Sequence, residues 1–134
     1  RRLQGLQRQF PEESEVAPYL GYAHEKLGKN DRAEDAYRHA LNLRPDSPRA
    51  LLRLSTVLIR RKRYNEAQSF LESLTSKYPD YAVAWWNLGV LHRKLRQPKQ
   101  AQQAWERALQ VEPDNERIRS ALMKLSVQLE SVSE

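Results

Sequence analysis

A fixed spacing constrains this chain more than any other feature. Pro45, Pro79 and Pro113 recur at equal intervals, and each is followed by an aspartate (Asp46, Asp80, Asp114). Ala33, Ala67 and Ala101 run in the same phase, as do Leu20, Leu54 and Leu88, with Gly21, Ser55 and Gly89 directly after them. Tyr37, Leu71 and Trp105 follow, then Ala40, Leu74 and Ala108. No insertion or deletion breaks the register. A period of this length marks a stack of like units, each too small to bury its apolar face alone. The blocks are 14–47, 48–81 and 82–115, which together cover 102 of 134 residues.

Each block predicts two helices. In the third, Trp85, Leu88, Gly89 and His92 have the i, i+3, i+4, i+7 spacing of one helical stripe. Arg96-Gln97-Pro98 then breaks the pattern, with the proline suited to the first turn of a new helix. Ala101, Ala104, Trp105 and Ala108 form a second stripe, which Pro113 ends. Gly89 and Ala101 let two antiparallel backbones approach closely, and Trp85 and Trp105 are expected in the core on either side. Gly28 falls where the first helix of block one must stop and suits a left-handed C-cap. His24 and His92 share a repeat position and are expected between paired helices.

Composition narrows the chemistry. Apolar residues make up 40% and charged residues 30%, the balance of a folded chain the size of one domain. Cysteine is absent, so disulfides, thiolate metal sites and thiol nucleophiles are excluded. The three histidines are scattered, and no metal or other cofactor is expected. No apolar run reaches the length of a membrane span. Gly-rich phosphate loops, HExxH, GxSxG and nucleophile–base constellations are all missing, so no active site is predicted. Acidic residues such as Glu34 and Asp35 fall on polar helix faces and are expected to be solvated.

The pattern Trp85-x-x-Leu88-Gly89-x-x-His92, then Ala101-x-x-x-Trp105-x-x-Ala108 and Pro113, resembles the tetratricopeptide repeat (TPR). That family usually carries Tyr where His24 and His92 stand. The middle block departs most, with Leu51, Ser55 and Leu74 in place of Trp, Gly and Ala. The resemblance implies an all-α fold, an α-α superhelix (TPR solenoid) of antiparallel helix pairs, with a concave face lined by the first helix of every block. Leu3, Leu6 and Phe10, before Pro11, read residues 1–13 as the second-helix remnant of a preceding repeat, open at the N-terminal end. Residues 116–134 read as a C-terminal solvating helix and tail, with Ile118, Leu122, Leu125 and Leu129 on one side.

The sequence also carries a candidate binding face. The first helix of block two is apolar nearly all round. Leu51, Leu54 and Leu58 suffice for its partner helix, which leaves Leu52, Thr56 and Ile59 on a separate stripe. The matching positions are Tyr22 in block one and Trp86, Val90 and Arg93 in block three, with Arg49 and Arg60 alongside. Aromatic rings beside arginine are the usual make-up of a binding hot spot. A subfamily grips the C-terminal carboxylate of chaperones with Lys and Asn on this face. The corresponding Pro18, Tyr22, Leu52, Thr56, Trp86 and Val90 do not match, so that clamp is not expected.

Charge is unevenly spread. Block one is net −1, block two +4 and block three +2. Arg60, Arg61, Lys62 and Arg63 end the first helix of block two, and Arg93, Lys94, Arg96 and Lys99 repeat the arrangement one block on. These clusters are expected to form one basic ridge that steers an acidic partner. The resulting expectation is a non-enzymatic protein–protein interaction scaffold, part of something larger, holding an acidic-hydrophobic peptide or helix in its groove. The alternatives are a spacer that self-associates through its N-terminal end and, less favoured because few aromatics interleave with the ridge, a nucleic-acid surface.

Overall fold

The computed structural model describes residues 12–133, and its described residues form seven helices and no strand. These are α1 (Glu13–Lys26), α2 (Asn30–Leu43), α3 (Pro48–Arg60), α4 (Tyr64–Lys77), α5 (Ala82–Lys94), α6 (Pro98–Val111) and α7 (Glu116–Ser133). The starts of α2, α4 and α6, at Asn30, Tyr64 and Pro98, keep the period of the sequence. Pro48 and Pro98 occupy first-turn positions, where the missing N–H costs nothing. Ser47 caps α3 by accepting a hydrogen bond from the Ala50 amide at 3.3 Å.

The stops share one device. Gly28, Lys62 and Arg96 occupy the same repeat position at the ends of α1, α3 and α5, with φ of 74°, 64° and 60°. After α1 the Lys29 amide donates to the His24 carbonyl at 2.9 Å; after α5 the Gln97 amide donates to the His92 carbonyl at 2.8 Å. Both bonds close a left-handed C-terminal turn. The glycine makes this turn legible in the first block. Lys62 and Arg96 adopt it against an intrinsic cost of about 1 kcal/mol or more for a residue with a Cβ.

The chain divides into two compact units between Lys62 and Arg63. In the first, α1, α2 and α3 meet through Ala17, Ala40 and Ala50. Gly21 lets α1 approach α2: a Cβ there would lie 2.5 Å from the buried Tyr37 ring. In the second unit Gly89 has the same role, since a Cβ would fall 2.1 Å from Trp105 Nε1.

Trp105, Ala101 and Ala108 of α6 form one core with Ile118 and Leu125 of α7, and Leu122 and Leu129 pack against it, half-buried. The expected apolar side of the last helix is therefore its packed side. Burial of Ile118 and Leu125 contributes about 1.5–3 kcal/mol each. One core expectation needs correction: Trp85 is only half-buried, with its indole N–H donating to the Pro79 carbonyl at 2.9 Å and Arg107 stacked on its ring. Its amphipathic ring lies at the rim, with one edge wet. Leu3, Leu6 and Phe10 lie outside the described residues.

Candidate functional site

In the second unit the site is built on α5. Its residues Trp86, Val90 and Arg93 lie on one stripe, as the spacing predicts. The buried Trp105 indole stacks on Trp86 with centroids 5.0 Å apart and planes 17° from parallel, and its N–H donates to the Trp86 carbonyl at 3.0 Å. Arg117, in the first turn of α7, lies 4.7 Å from the Trp86 centroid, and Arg93 lies 5.9 Å from that of Trp105. Rings held between packed helices and cations lose little freedom when a ligand arrives.

Beside the stack is a hollow of about 310 Å³ lined by Trp86, Val90, Arg93, Lys94, Trp105 and Ala121. Its walls are aromatic and aliphatic, its rim carries two cations, and no carboxylate lines it. Trp86 also borders a smaller hollow of about 100 Å³, with Val83, Arg117 and Ile118 among its walls. Trp86 is thus half-buried, with open space on two sides. Sequence reasoning missed Arg117 and Ala121, which belong to α7.

In the first unit, α1 and α3 bring together five residues. The exposed Tyr22 ring has Arg53 at 4.8 Å and Lys26 at 5.1 Å, and Arg49 lies 4.9 Å from the exposed Tyr19 ring. Tyr22 and Arg49 were predicted; Tyr19 and Arg53 were not. Their signal was present as Tyr19/Tyr22 at i, i+3 and Arg49/Arg53 at i, i+4, spacings that put each pair on one helix face. Leu52 and Ile59 keep 8% and 9% exposure, so they offer little surface to a partner. Thr56 is half-buried, and its hydroxyl donates to the Leu52 carbonyl at 3.1 Å.

The basic run after α3 does other work than a ridge requires. Arg60 binds Glu25 at 2.7 Å and Arg61 binds Glu34 at 2.8 Å, which also takes Arg38 at 2.8 Å. Arg63 pairs with Glu66 at 3.8 Å. The Glu25 and Glu34 side chains are only 4% and 6% exposed, contrary to the expectation that Glu34 is solvated. Isolated carboxylates buried this far cost several kcal/mol unless paired, which is why the arginines turn to them.

The Tyr37 hydroxyl donates to Glu25 as well, and burial first, then that bond and charge, hold its pKa far above the usual tyrosine value. Lys62, Lys94, Arg96 and Lys99 are exposed and form no ion pair among the described residues. Of the expected histidine pair, His92 is buried and bonds Gln97 through Nδ1 at 2.7 Å, whereas the buried Nδ1 of His24 has no hydrogen-bond partner.

Two family models, both described as the tetratricopeptide repeat, match residues 24–91 and 82–115. The chain belongs to the tetratricopeptide repeat family. The first TPR domain of Spaghetti (RPAP3), solved bound to the HSP90 peptide SRMEEVD, is similar at 26% identity and a TM-score of 0.82, over 87% of this chain and 93% of that one. The Sgt2 TPR domain of Aspergillus fumigatus shares the fold with a TM-score of 0.85 and 22% identity, over 92% of this chain and 83% of that one. Among curated proteins, human protein O-mannosyl-transferase TMTC1 is 29% identical over 79% of this chain. This TPR chain spans between 8% and 12% of the length of the curated relatives it matches. Among the described residues no helix is long and apolar enough to cross a membrane, and no group of three metal-ligating side chains occurs.

Proposed function

We propose that this TPR chain is a protein-interaction module that holds a segment of a partner protein, and that it performs no reaction of its own. The observation that carries the reading is Trp86: a half-buried indole, fixed by Trp105 and Arg117, beside a hollow with cations and no carboxylate on its walls. A pre-ordered aromatic anchor of this kind dominates the energy of many protein interfaces. The exposed Tyr19 and Tyr22 with Arg49 and Arg53 supply a second aromatic and basic surface on the first unit. An acidic partner segment suits both. The acidic peptide named with the RPAP3 domain supports that chemistry, although the clamp positions Pro18, Tyr22, Leu52, Thr56, Trp86 and Val90 differ from Lys and Asn.

The test is capture of partners by the wild type and by Trp86→Ala, with the helical content of both recorded. Truncation costs about 2 kcal/mol at a hot spot, roughly a thirtyfold loss of affinity. Equal capture by a folded variant refutes the assignment. Self-association is a second reading, favoured by Val16 and Leu20 on α1 and Leu27 directly after it, which are 43%, 52% and 68% exposed. Sedimentation across a concentration series decides it, and a strict monomer ends it.

A further inference from the structure

We propose that the hollow of about 310 Å³ between Trp86 and Ala121 takes one bulky apolar side chain of a partner segment, that the residue next to it carries a carboxylate bound by Arg93 and Lys94, and that α7 is a wall of this receptor as well as a cover for the last repeat. The inference rests on the interaction-module reading and adds the chemistry of the ligand. Its first support is the shape of the space. Val90, Ala121 and the two stacked indoles give apolar walls around about 310 Å³, the low end of ligand-pocket volumes and therefore room for a side chain, not a whole element. Ala121 is the small residue that leaves this room, since α7 presents a methyl group there while Ile118 and Leu125, about one turn to either side of it, fill the core.

The second support is charge. Arg93 and Lys94 reach the rim from the last turn of α5, form no ion pair among the described residues, and face no carboxylate on the lining. Arg96 and Lys99 follow shortly after and are also unpaired among the described residues. By contrast, Arg60 and Arg61 at the end of α3 are already bound to Glu25 and Glu34. A carboxylate that arrives beside an indole wall meets these cations with part of the water displaced, where the attraction is stronger than in bulk solvent. An uncharged apolar segment would use only half of the site.

The third support is Arg117. Its guanidinium covers Trp86 on the side of the smaller hollow, so the ring is held and its remaining surface borders the larger one. Recognition at this point needs α5, α6 and α7 together.

Three capped tripeptides test the proposal on the intact chain: acetyl-Leu-Glu-Glu-amide, acetyl-Leu-Gln-Gln-amide and acetyl-Ala-Glu-Glu-amide. The readout is the shift of the Trp86 and Trp105 indole N–H resonances on titration. The first peptide is expected to bind about tenfold more tightly than either other one. Ala121→Leu, which fills the hollow and leaves Trp86 and both cations in place, is expected to abolish the difference between Leu and Ala peptides. Arg93→Gln with Lys94→Gln is expected to abolish the difference between Glu and Gln peptides.

Equal binding of the three peptides by the wild type overturns the proposal without reference to any variant. Displacement of the first peptide by oligouridylate, with the same indole shifts, would also overturn it in favour of a phosphate ligand. If partner capture is lost in Trp86→Ala but unchanged in a folded Ala121→Leu, the interaction reading stands and this inference falls.

Discussion

Gly89→Ala tests whether the close approach of α5 and α6 is as tight as the geometry requires. An alanine Cβ at this position would lie 2.1 Å from Trp105 Nε1 and 2.2 Å from Cδ1. Ordinary contact begins near 3.4 Å, so the indole must retreat by more than an ångström. Any retreat breaks contacts that hold it: it is 1% exposed, stacked on Trp86, and bonded through Nε1 to the Trp86 carbonyl.

Overpacking of this sort costs about 1–3 kcal/mol. Loss of the indole hydrogen bond in a buried setting adds about 1–2 kcal/mol. Alanine recovers about 1 kcal/mol through better helix propensity. The net expectation is destabilisation by about 2–3 kcal/mol, read as a lower urea midpoint by helical ellipticity. Combining Gly89→Ala with Trp105→Leu removes the obstructing ring, so the double variant should be at least about 1 kcal/mol more stable than the sum of the singles predicts. A Gly89→Ala protein as stable as the wild type, or strictly additive losses, would refute the reasoning.

Four further outcomes are expected. Arg96→Gly should stabilise the chain by about 0.5–1 kcal/mol, because the residue already has φ of 60° and glycine takes that conformation without strain; a lower urea midpoint would contradict this. Glu34→Gln should cost about 1–2 kcal/mol, less than for a fully buried pair because Arg38 and Arg61 are each 37% exposed, and denaturation at neutral pH measures it. Tyr37 has a folded pKa above its unfolded value, so its contribution is complete below about pH 10 and is lost as the pH rises beyond it; the wild type should lose more stability between about pH 9 and 11 than Tyr37→Phe does. Trp86→Ala should lower partner affinity about thirtyfold with little change in ellipticity, as competition binding will record.

Much of the fold was legible because periodicity is a one-dimensional signal. Gly21 with Tyr37, and Gly89 with Trp105, occupy the same two positions of their blocks, and in both the glycine faces the ring. The helix pairs, their breaks at the prolines, and the packed stripe of Ile118 and Leu125 all follow from spacings within one or two helices. Trp86 was singled out by repeat position, as the counterpart of the leftover stripe of the middle block, although its ring stacks on Trp105 of its own partner helix.

What the sequence could not decide were pairings between helices whose relative rotation no repeat fixes. Arg60 and Arg61 read as free cations in a run of four, yet they reach back 35 and 27 residues to Glu25 and Glu34. Leu52 and Ile59 read as surface because the pattern counts which stripe is left over, and tertiary packing buried it. Arg117 and Ala121 lie outside the three repeats, so no internal comparison pointed to them. The sequence by itself determined the period and the helices, since both depend on side chains a fixed helical distance apart. Only the tertiary structure decided which charges are spent on each other and which wall closes the hollow beside Trp86, because burial of one carboxylate redirects a cation that the local pattern leaves free.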